Sequence, residues 1–88
     1  EALAIGLATR LFEPEDLEQG TQNFAQNLCD LSQFTIRAVK TMVSEISGGA
    51  TDETETSRRL RAEGFKGADY HEGRDAFLEK RKAKFTHR

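Results

Sequence analysis

Residues 69–85 read DYHEGRDAFLEKRKAKF: an acidic opening, a phenylalanine, a knot of positive charge and a second phenylalanine. Asp69 and Glu72 have the D-x-x-E spacing of a helix start, close to a capping box. Tyr70, Gly73, Ala76 and Phe77 carry that helix into Glu79-Lys80-Arg81-Lys82. Cations at such a position have three readings. They complement the helix dipole at a C-terminus, they meet a phosphate, or they form a membrane or nucleic-acid surface. Phe77 and Lys80 stand three apart, so a helix puts both on one face. A ring beside an ammonium suits a nucleotide, the ring on the base and the cation on a phosphate. The plainer reading of Phe77 is core packing opposite Tyr70 and Gly73.

Upstream, the pattern is helical almost throughout. EALAIG (1–6) reads as the last turns of a helix closed by Gly6. In LATRLF (7–12), Leu7, Thr9 and Leu11 alternate, the mark of a short strand or extended segment. Pro14 suits a first helical turn, and Glu15, Asp16 and Glu18 complement its dipole. Leu17, Thr21, Phe24, Ala25, Leu28 and Leu31 predict an amphipathic helix through about Ser32. A second runs from about Ser32 to Ser47 with the stripe Ile36, Val39, Met42 or Val43, and Ile46, stopped by Gly48 and Gly49. A third, capped by Thr51 and led by Asp52, Glu53 and Glu55, has only Leu60, Ala62 and Phe65 as apolar positions before Gly67 breaks it. The expected fold is mainly α, a small bundle of about four helices after a short extended segment. Residues 1–12 form the end of a core helix and a short strand or linker, and residues 13–88 a helical domain.

The chain has 88 residues, 36% hydrophobic and 32% charged, enough for one domain with a thin core. Some helix faces are therefore expected to meet another chain or a missing domain. A net charge of -2 argues against a general nucleic-acid binder. The charge is nevertheless uneven, with Lys80, Arg81, Lys82, Lys84 and Arg88 crowding the last eleven residues against Glu79 alone. There is no apolar run of membrane-spanning length, so no membrane partner is expected. The opening at Glu1, without methionine and inside an apolar pattern, reads as a fragment whose natural start lies upstream. A reducing, cytoplasmic setting is the default expectation.

Catalytic inventory is poor. Cys29 reads as a small side chain on the flank of an apolar stripe rather than a nucleophile. His71 and His87 lack a second ligand at helical spacing, so no metal site is expected. Gly48-Gly49 lacks the lysine and the preceding strand of a phosphate loop. No catalytic residue is assigned.

The pattern Asp69, Glu72-Gly73, Ala76-Phe77, Glu79-Lys80-Arg81 and Phe85 resembles the C-terminal signature of the crotonase superfamily, the enoyl-CoA hydratase/isomerase family. EALAIGLATRLF resembles the family's E-A-x-x-x-G-L-V-x-x-V segment, and the middle of the chain fits its helices in order and spacing. The resemblance spans nearly all 88 residues. It implies the helical C-terminal trimerisation region of a larger enzyme acting on coenzyme A thioesters. The oxyanion hole and the acidic residues of that chemistry would lie upstream. It further implies self-association, as a trimer or a dimer of trimers, with Phe77 near the adenine and Lys80 near the phosphates of a coenzyme A bound to a neighbouring subunit. Two departures stand out. Arg61 occupies the place where relatives often carry an aromatic, one turn before Phe65, and Leu7-Ala8-Thr9-Arg10 lacks the usual valine and aspartate. The rival reading is a free-standing helical interaction module with a basic tail. A weaker third is a small enzyme using Cys29 and His71.

Overall fold

A computed structural model describes residues 1–87; Arg88, last of the basic run, lies outside the described residues. The described residues contain four α-helices after a 3-10 turn, and no strand. The 3-10 turn is Pro14–Asp16, followed by α1 (Leu17–Cys29), α2 (Gln33–Ser47), α3 (Glu55–Lys66) and α4 (Ala68–Glu79).

The first residues wind into hydrogen-bonded turns. The Ile5 amide donates to the Glu1 carbonyl at 3.1 Å, and Gly6 takes the left-handed conformation (φ +78°) expected of a helix-ending glycine. Residues 10–13 belong to no regular element, because no second strand is present among the described residues to pair with them. Side chains hold this segment to α1 instead. The Phe12 ring lies over Gly20, where any side chain would overlap it, and the Arg10 guanidinium sits 5.0 Å from the centre of the Phe24 ring.

Pro14 opens the first turn with Glu15 and Asp16 beside it, as its sequence predicts. α1 stops at Cys29, short of Ser32, because Ser32 belongs to the next helix. Its extended backbone and its hydroxyl, which accepts from the Thr35 amide at 3.2 Å, make it the N-cap of α2. α2 ends before Gly48, and Gly49 turns the chain at φ +106°. α3 is capped by Thr54, not Thr51. The Thr54 hydroxyl accepts from the Ser57 amide at 3.0 Å and donates to Glu45 at 2.8 Å, so the cap is fastened to α2 from outside the helix. Asp52 and Glu53 precede the helix, and Glu53 instead pairs with Arg61 and Arg58 across its first turns.

α2 packs on α3, and α3 on α4. Among the described residues only Ala38 and Ala76 are buried apolar residues. Ile36, Met42 and Leu60 are half-buried along the α2–α3 seam, whereas Val39, Val43 and Ile46 of the same α2 stripe are exposed. The radius of gyration is 16.6 Å; a close-packed chain of this length would have about 12 Å. The four helices therefore form an open arrangement, 43 × 40 × 20 Å, with a thin core. No helix is long and apolar enough to cross a membrane among the described residues.

Candidate functional site

Beyond α4 the chain reverses and runs back along the helix that it has just left. Glu79 ends α4, and Lys80 adopts the left-handed conformation (φ 54°, ψ 44°). The Lys80 amide donates to the Phe77 carbonyl at 3.3 Å and the Arg81 amide to the Ala76 carbonyl at 3.0 Å, the bond pair of a Schellman motif. Glycine is the usual occupant of such a cap, since a Cβ there costs about 1 kcal/mol. Among the described residues Lys80 is the sole non-glycine with positive φ.

Two carboxylates of α4 hold the returning tail. Glu72 receives Arg81 in a forked pair, Nη1 at 2.6 Å and Nη2 at 3.1 Å, and accepts the Lys84 amide at 2.9 Å. The Arg81 Nε also donates to Glu79 at 2.6 Å. These bonds, with Arg81 contributing most and the Lys84 amide next, hold the Glu72 carboxyl down from its ordinary 4.5 to about 2. The partnership with Glu72 and then Glu79 raises the pKa of Arg81 in turn.

One turn earlier, Asp69 is buried, and its Oδ1 accepts from the amides of Thr86 at 2.8 Å and His87 at 2.9 Å. Burial alone would raise its pKa. The Ser32 side chain, followed by the His87 and Thr86 amides, outweighs that and lowers it. Asp69 Oδ2 is buried without a partner in hydrogen-bonding geometry among the described residues. Apolar contacts complete the return. The Phe85 ring lies against Gly73, a Cβ there standing 3.6 Å away. His87 stacks on Phe34 with ring centres 4.4 Å apart, and its carbonyl accepts from the Phe34 amide at 3.3 Å. Gly67 makes room for that imidazole, because a Cβ at 67 would stand 2.8 Å from Nδ1.

The D-x-x-E pair is thus not a capping box. α4 begins at Ala68 with Gly67 as its N-cap, so Asp69 and Glu72 lie inside the helix and point their carboxylates at the tail. Nor is Phe77 packed in a core opposite Gly73. Phe85 fills that place, and Phe77 is 83% exposed. Phe77 and Lys80 do not share a regular helix face either, since Lys80 is the cap. They are joined through the backbone bond between them at the outer end of α4.

The basic run divides in two. Arg81 is spent on Glu72 and Glu79, and Lys82 pairs with Asp30 at 3.2 Å, tying the tail to the end of α1. Lys80 and Lys84 have no acidic partner among the described residues. Sequence reasoning missed the anchoring roles of Asp69, Glu72, Phe34 and His87. No local signal marks these roles, because they depend on where the returning tail lies.

A separate apolar groove of about 630 Å³ lies between α2, α3, α4 and the tail, lined in part by Val39, Met42, Leu60, Phe65, Tyr70 and Phe85. Phe77 and Lys80 are not part of it. Arg61, which also lines it, is held by Glu53 at 3.1 Å. Among the described residues no three His, Cys, Asp or Glu side chains gather in a metal-binding cluster.

The arrangement has relatives. The profile of the enoyl-CoA hydratase/isomerase family matches residues 1–88. The chain belongs to this family, within the crotonase superfamily. It is 33% identical over 88 residues to methylmalonyl-CoA decarboxylase of Escherichia coli (strain K12), covering 97% of this chain and 34% of that protein. It is 32% identical over 89 residues to crotonyl-CoA hydratase of Syntrophomonas wolfei subsp. wolfei, covering 97% of this chain and 33% of that protein. The crystal structure of an enoyl-CoA hydratase/isomerase family protein from Hyphomonas neptunium superposes with a TM-score of 0.83 at 39% identity, covering 99% of this chain and 33% of that one. The chain therefore spans about a third of the length of the relatives it matches.

Proposed function

We propose that this chain is the C-terminal region of an enzyme acting on coenzyme A thioesters, in which it serves subunit association and contributes to coenzyme A binding through Phe77 and Lys80. The observation that carries the binding role is the end of α4. A phenylalanine 83% exposed is followed one turn later by a lysine in a glycine conformation with no acidic partner among the described residues. Neither residue is placed where its own fold needs it. A ring that meets water and an unpaired ammonium suit an adenine face and a phosphate. The relatives named above share the coenzyme A thioester in their names, which supports the same ligand here. Coenzyme A enters as part of the substrate, no separate cofactor is assigned to this chain, and catalysis belongs to the part of the enzyme outside these residues.

The reading of a free-standing module with a basic tail loses its footing in the ion pairs. Arg81 and Lys82 are engaged within the chain, so the tail does not present a continuous cationic surface.

Lys80→Glu in the full-length protein tests the binding role. Replacing an attractive charge by a repulsive one at an exposed phosphate contact should weaken acyl-CoA binding about tenfold. The difference from wild type should shrink as salt rises, because exposed charges are screened. A Michaelis constant indifferent to the substitution at every salt concentration would rule out this role for Lys80.

A further inference from the structure

We infer that Glu72 is a positioning residue for coenzyme A: by fastening Arg81 and the Lys84 amide it holds Lys80 in the left-handed cap, at the same end of α4 as the exposed Phe77 ring. The inference rests on the coenzyme A reading above and extends it to a residue that touches no ligand.

Lys80 occupies the left-handed region of backbone space. A lysine in this conformation is not at its intrinsic minimum, and such conformations persist where the surroundings over-determine them. The bond from the Arg81 amide to the Ala76 carbonyl closes the cap from the helix side. From the tail side, Glu72 grips Arg81 through both guanidinium nitrogens and, with the same Oε1, the Lys84 amide. One carboxylate thus fixes the chain one and four residues after Lys80. Glu79 adds a third contact to the same guanidinium from the residue preceding Lys80. Arg81 cannot reach Glu72 unless the chain reverses at position 80, so the ion pair and the left-handed lysine form together.

Glu72 is itself only half-buried and does not line the groove. Its effect on a ligand would therefore pass through the backbone of residue 80. Without the clamp, Lys80 would be free to leave the cap and would have to be refixed at each binding event. The expected loss of affinity is about fivefold, the effect of ordering one backbone residue.

The experiment is a double-mutant cycle in the full-length protein carrying this chain, with coenzyme A itself as the probe in isothermal titration across a salt series. The variants are Lys80→Ala, Glu72→Gln and the double substitution, with Glu72→Ala as a second removal of the clamp. Glu72→Gln keeps an acceptor for the Lys84 amide and leaves the fold least disturbed. Pantetheine, which lacks the nucleotide, serves as the control ligand. The expected result is that Glu72→Gln and Lys80→Ala each weaken coenzyme A binding and flatten its salt dependence. The double variant should be no weaker than Lys80→Ala alone, and pantetheine binding should be unchanged throughout. If Lys80→Ala weakens binding but the Glu72 variants do not, or if the two effects simply add, the positioning role is overturned while the coenzyme A reading stands. If Lys80→Ala itself leaves coenzyme A affinity unchanged, the reading of the site falls and this inference with it. A general loss that includes pantetheine would mark Glu72 as structural and also overturn the inference.

Discussion

Lys80 shows how one residue can be worse for the fold than its replacement. Its side chain makes no ion pair among the described residues, while its backbone sits where glycine is preferred. Lys80→Gly should therefore stabilise the chain by about 1 kcal/mol, read from urea unfolding. In the full-length protein the same substitution should weaken coenzyme A binding. A glycine variant that is both more stable and equally competent in binding would show that the lysine has no role at the site. Asp69 is the opposite case. It satisfies two partly buried amides with one oxygen, and Asp69→Ala would leave both without that acceptor. The expected destabilisation is about 3 kcal/mol. Asp69→Asn, which retains that oxygen, should lose less. Similar urea midpoints for alanine and wild type would remove Asp69 as the tail's anchor.

At the scale of elements, the tail behaves as a fifth piece of structure without regular hydrogen bonding of its own. Its bonds run to α4 through Glu72 and Asp69, to α2 through Phe34 and to the end of α1 through Asp30. Both α4 carboxylates are depressed in the folded state, so the sign of the pH effect is set. Their contribution is present above the ordinary carboxylate range and is lost as they protonate on acidification. For Glu72 the loss should run from about 4.5 down towards about 2. Protection factors of the Lys84, Thr86 and His87 amides, corrected for intrinsic exchange, should fall over that window before those of the interior of α2. Simultaneous opening of α2 and the tail would mean that the tail is not a separable element. At α3 the Thr54 cap also carries a bond to Glu45, and Thr54→Ala should cost about 1 kcal/mol or slightly more. An unchanged thermal midpoint would contradict that.

The whole molecule exposes 7292 Å², whereas a compact monomer of its mass would expose about 5,200 Å². The excess comes with a row of exposed apolar side chains along α2, including Val39, Val43 and Ile46. Such a face implies a covering surface. The isolated chain should therefore associate in solution, its light-scattering mass rising above 9.9 kDa with concentration. Ile46→Glu should reduce that association. A mass of 9.9 kDa at every concentration would count against the α2 face as an assembly surface.

The helices themselves were legible in the sequence, because apolar spacing, Pro14, Ser32 and the paired glycines act within a few residues of chain. So was the family, whose signature between Asp69 and Phe85 is a pattern of residue types. What the signature is for was decided only by tertiary structure. Asp69 and Glu72 have the spacing of a cap, and nothing local distinguishes a carboxylate that caps its own helix from one that holds a tail arriving up to 18 residues later. Phe77 and Phe85 are equally apolar, yet Phe85 packs against Gly73 and Phe77 stays in water, because the chain reverses at Lys80. That reversal is held by an ion pair and by bonds to backbone amides, and long-range contacts of this kind leave no period in the sequence.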